Sequence, residues 1–70
     1  MEKHEVFNVR RISKSYWIVE AGYNTFDLYI SEKGIGIYLC LDDNTNALVK
    51  AYTHQNIMTA INYLFNKEIF

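Results

Sequence analysis

Cys40 and His54 are the residues that most invite a reading as nucleophile and base. A thiolate nucleophile needs a base in contact, and a cation or helix N-terminus to favour its ionised form. Cys40 stands between Leu39 and Leu41, where neither is implied, so it reads as a small buried side chain. His54 falls in what reads as a first helical turn, where it bonds locally or borders the core. A metal centre would have to draw on His4, Cys40, Asp42, Asp43 and His54, whose spacing matches no zinc or calcium ligand pattern. Asp42 and Asp43, next to Asn44, are turn formers first. Gly34-Ile35-Gly36 precedes a strand rather than opening a helix, so it lacks the free N–H groups that cradle phosphate. No catalytic residue, metal or cofactor is assigned, and no enzymatic activity is expected.

The aromatic residues point to contact rather than chemistry. Tyr16, Trp17, Tyr29 and Tyr38 are the candidates for a protein-binding or dimer surface. Tyrosine and tryptophan bury large area with few rotors to freeze, which suits them to interfaces. Arg10, Arg11 and Lys14 lie close to Tyr16 and Trp17, and cations beside aromatics on a sheet are the ingredients of a single-strand nucleic-acid platform. Glu20, Asp27 and Glu32 compete for the same surface, and 7 basic against 8 acidic residues leave a net charge of −1. Binding to a phosphate backbone rests on cations displacing counterions, so nucleic acid is the alternative partner and protein the first.

The elements that carry these residues follow from the apolar periodicity. Ile57, Ala60, Ile61, Leu64 and Phe65 form one stripe of a 3.6-residue period, predicting a helix from Thr53 to about Lys67. His54, Met58 and Glu68 flank the stripe, and Thr53 is the expected N-cap. Upstream, 5–12 alternate as a half-buried strand, and Tyr16-Trp17-Ile18-Val19 reads as a strand covered on both faces. In 25–30 the alternation sets Phe26, Leu28 and Ile30 against Thr25, Asp27 and Tyr29. Gly34 closes a hairpin in positive φ, and Ile35, Ile37, Leu39 and Leu41 face the core from the next strand, opposite Gly36, Tyr38 and Cys40. A turn at 42–46 leads to a fifth strand or early helical turn at 47–52.

With every connection short, the expected fold is α+β: an antiparallel meander of four to five strands with one C-terminal helix across one face. In architecture alone this layout is similar to small dimeric single-strand binders. The back face carries Tyr29, Tyr38 and Cys40 with either Tyr16 and Ile18 or Trp17 and Val19, the two sets of the second strand being equally apolar.

Seventy residues make one small domain, 1–70, with a thin core, and the lone cysteine forms no internal disulfide. With half the residues hydrophobic and 16% aromatic, surplus apolar surface is expected to be buried against a second copy. The expectation is a non-enzymatic binding module, a homodimer that also acts on another protein. The charged first residues are no signal peptide, and the longest apolar run, Ile35–Leu41, is far below the ~20 residues that span a bilayer, so no membrane partner and a reducing cytoplasm are expected. Residues with AT-rich codons (Phe, Tyr, Met, Ile, Asn, Lys) outnumber those with GC-rich codons, which suggests a low-GC bacterium, plasmid or phage as source. A small phage or mobile-element protein that inhibits or adjusts a host protein fits that composition.

Overall fold

The computed structural model describes residues 7–66. Five strands, β1 (Phe7–Ser13), β2 (Tyr16–Ala21), β3 (Asn24–Ser31), β4 (Gly34–Cys40) and β5 (Asn46–Tyr52), precede one helix, α1 (Ile57–Asn66). They form one antiparallel sheet in the order β1-β2-β3-β4-β5. The α+β meander expected from the short connections is therefore the fold, and 46–52 is a strand. The expected starts and ends at Glu5, Lys67 and Glu68 lie outside the described residues.

Cross-strand register sorts the side chains. Val19 pairs with Phe26, and Phe26 with Leu39; Trp17 pairs with Leu28, and Leu28 with Ile37. Direct partners share a face, so Trp17, Val19 and Ala21 are the helix-facing set of β2. The core consists of those strands' inward residues and Ala60, Ile61 and Leu64 of α1, with Phe26, Leu28, Ile37 and Leu64 at zero exposure. Burying a Leu, Ile or Phe side chain contributes roughly 1.5–3 kcal/mol, and α1, lying over β2 and β4, supplies one whole side of that core.

Four local expectations are corrected. The helix starts at Ile57, and its N-cap is Asn56, whose Oδ1 accepts from Met58 N at 3.1 Å, rather than Thr53. His54 precedes the helix, its Nδ1 accepting from Asn56 N at 3.2 Å, and Gln55 Nε2 donates to the Ser31 carbonyl, so 53–56 is tied down as a connection. Phe65 keeps the helical period but overhangs the sheet edge; it is 64% exposed and meets Phe7 edge-on at 5.1 Å. Leu41 falls one residue past β4 and is exposed, its N–H given to Thr45 O in the following turn.

Both edge strands carry an extra residue. Arg11 pairs with Trp17 and Ser13 with Tyr16, leaving Ile12 over in β1. Ile37 pairs with Lys50 and Tyr38 with Leu48, leaving Val49 over in β5. Gly34 has φ 134°, and a Cβ there would collide with the Tyr52 carbonyl, so the β3–β4 hairpin closes directly against the end of β5.

Candidate contact face of the sheet

The face turned away from α1 is built from the other parity. Its rows run across the strands: Arg10 pairs with Ile18, Ile18 with Asp27, Asp27 with Tyr38 and Tyr38 with Leu48. A second row runs Tyr16, Tyr29, Gly36, Ala51. Here the tyrosines form a continuous aromatic run. Tyr16 stacks on Tyr29 at 5.1 Å with planes 13° apart, and Tyr29 meets Tyr38 at 5.6 Å and 75°. Both geometries are favoured ring arrangements, and neighbouring strands hold them in place. A Cβ on Gly36 would come within 3.0 Å of the Tyr38 ring, so the missing side chain is what lets Tyr38 lie down over β4.

Asp27 stands in the middle of this apolar surface. The Tyr16 hydroxyl donates to its Oδ1 at 3.1 Å, and the Cys40 thiol to its Oδ2 at 3.3 Å. Both donors are neutral. Burial, then the hydrogen bond to Asp27, push Tyr16 up to about 12. The same causes push the Cys40 thiol up to about 11. Burial and the neighbouring carboxylate also raise Tyr29. Cys40 is thus half-buried and hydrogen-bonded rather than a plain buried hydrophobe, and a thiol held protonated in this way is a poor nucleophile. Among the described residues no cluster of His, Cys, Asp or Glu could hold a metal ion. Beside Tyr38 the face dips into an open hollow of about 280 Å³ over Gly36 and Ala51, rimmed by Leu48 and Lys33.

The candidate residues separate by face. Tyr16, Tyr29 and Tyr38 come together, with Tyr29 43% exposed. Trp17 does not join them: it packs against the core on the helix side, under Arg11 at 6.0 Å from its ring, and its buried Nε1 has no hydrogen-bond partner among the described residues. Of the three cations, Arg10 lies on the tyrosine face, Arg11 on the helix side, and Lys14 in the β1–β2 turn. They do not converge on one surface. Ile18, Asp27 and Leu48 belong to the tyrosine face too. Alternation already sets Asp27 with Tyr29, whereas register is needed to choose Ile18 over Val19 and to place Leu48.

Among the described residues no helix is long and apolar enough to cross a membrane. Compared with protein-family models, curated proteins and solved structures, the chain matches none of them, so the reading of this face rests on its geometry.

Proposed function

We propose that this protein is a non-enzymatic binding module that works through the tyrosine face of its sheet, and that the first partner of that face is a second copy of the chain. The observation that carries the reading is the Tyr16–Tyr29–Tyr38 run, packed around Asp27 and left bare by the single helix. Interface centres favour rigid aromatic anchors of this kind, with polar groups already hydrogen-bonded before they are covered.

Area and edges support the same reading. Five strands spaced ~4.8 Å apart and about seven residues long at ~3.3 Å present roughly 550 Å² of face. Two such faces stacked would bury on the order of 1,000 Å², the lower bound for a specific interface. Edge-to-edge association is disfavoured instead: β1 and β5 each have a bulge and carry Arg10, Arg11 or Lys50, devices that work against pairing at an open edge. These edges favour assembly through the face.

Sedimentation velocity between ~1 and ~100 µM tests the proposal, with a micromolar dissociation constant expected for an interface of this size. Tyr38→Glu should move the mass from two chains towards one while circular dichroism shows the sheet retained. Wild-type protein that sediments as one chain at the highest concentration would overturn the self-association.

A further inference from the structure

We infer that the second copy docks with its two-fold axis along the strands, between β2 and β3, so that Arg10 of each copy lies over Tyr38 and beside Asp27 of the other. This rests on the self-association proposed above and names the register it takes. Residues of one cross-strand row stand at the same height along the strands, so rotation about such an axis turns each row onto itself in reverse. Arg10, Ile18, Asp27 and Tyr38 form one row. The axis therefore sets Arg10 opposite the second copy's Tyr38, and Ile18 opposite its Asp27. In the neighbouring rows Tyr16 comes to face Tyr29, and Glu20 to face Thr25.

Charge selects this axis over those directly above β2 and β3, and an axis between β3 and β4 would leave Arg10 of β1 outside the overlap. The face carries three charged side chains, Arg10, Glu20 and Asp27, among the described residues of its rows. An axis over β3 sets Asp27 directly against its own copy, and an axis over β2 does the same to Glu20. Each would press two like carboxylates together in an apolar surround. Between β2 and β3 every charge faces an uncharged side chain. Within one chain Arg10 and Asp27 are two strands apart, roughly 10 Å, and the donors serving Asp27 are both neutral. Stacked sheets lie ~10 Å apart, a gap an arginine spans. Its guanidinium then meets a ring face and a carboxylate together, the combination that suits arginine best.

The test is a double-mutant cycle on the dissociation constant of the full chain, measured by sedimentation. Arg10→Glu should weaken the dimer at least ~ten-fold, because it brings a carboxylate beside the second copy's Asp27. Asp27→Asn, which keeps an oxygen for the Tyr16 hydroxyl, should weaken the wild-type dimer but strengthen the Arg10→Glu dimer. That reversal of sign is the expected result. A dimer in which the two substitutions act independently, or in which Arg10→Glu has no effect, overturns the register and leaves the self-association standing. A wild-type monomer at ~100 µM overturns both. Should Asp27→Asn fail to fold, Tyr38→Leu takes its place in the cycle: it should weaken the wild-type dimer more than the Arg10→Glu dimer, and equal weakening in both overturns the register.

Discussion

The Tyr16 hydroxyl donates to Asp27 Oδ1 across adjacent strands, two residues out of register, at 3.1 Å. The pair ties β2 to β3 through side chains as well as through the backbone ladder. It also keeps a carboxylate from facing an apolar surface without partners. Neutral donors satisfy Asp27 only while they stay protonated.

Alkaline pH should therefore weaken the fold. Tyr16 is raised from 10.0 to about 12 and Cys40 from 9.0 to about 11, and Tyr29 moves in the same direction. In each case the unfolded chain releases its proton first, so it binds fewer protons than the folded chain and gains stability as pH rises. The stabilisation is complete below pH 9.0 and is lost progressively towards about 12. Thermal melts across that window should show a falling midpoint. Asp27→Asn should flatten the fall, because it removes a cause of all three shifts. An equally steep fall in that variant would refute the account.

Ile61→Asp should unfold the chain, whereas Asn62→Asp should cost little. Ile61 is buried between α1 and the sheet, while Asn62 is exposed on the outer side of the same turn. A carboxylate in the first position must be desolvated or protonated at a cost of several kcal/mol, a large part of the stability of a 70-residue fold. Melting temperatures of the two variants check this, and similar values would show the face assignment to be wrong.

Gly34→Ala should be far more damaging than Gly36→Ala. Gly34 holds φ 134° and has the Tyr52 carbonyl where its Cβ would be, so a methyl group there clashes with backbone and strains the turn. At Gly36 the nearest atoms belong to the Tyr38 ring, which can tilt. Urea melts should show a loss of about 2 kcal/mol or more at 34 and less than ~1 at 36. The second variant should instead lower the affinity of the proposed dimer, since it moves the Tyr38 ring on which the second copy's Arg10 is proposed to lie.

Single-stranded oligonucleotide should bind weakly or not at all at ~150 mM salt. The tyrosine face offers one cation, Arg10, against the carboxylates of Glu20 and Asp27, while Arg11 lies on the helix side and Lys14 in the β1–β2 turn. One to three neutralised phosphates give a shallow salt dependence and little residual affinity. Fluorescence anisotropy with a labelled strand checks it, and submicromolar affinity would restore the nucleic-acid reading.

Strands β3 and β4 were legible in the sequence, apart from Leu41 past the end of β4, because Phe26-Leu28-Ile30 and Ile35-Ile37-Leu39 alternate against polar or small residues. Strand β2 was not. Tyr16 and Ile18 are as apolar as Trp17 and Val19, so only its register with Phe26 and Leu28 decides which set faces α1. That ambiguity is why Trp17 stood among the contact residues. The helix start was misplaced for a similar reason: Thr53 and Asn56 are both good caps, and the choice depends on Gln55 reaching back to Ser31. Long-range pairing, which no local pattern carries, likewise hid the role of Asp27.

The nearest-neighbour order of the sheet has a kinetic side. Each strand pairs only with the one before and after it, so every pairing closes a short loop and the sheet can zip from hairpin to hairpin. The helix comes after β5, yet it covers the middle of the sheet, over β2 and β4. During synthesis the strands are therefore complete before their cover exists. Phe26, Leu28 and Ile37 then face water until α1 has left the ribosome, and in that interval both faces of the nascent sheet are adhesive.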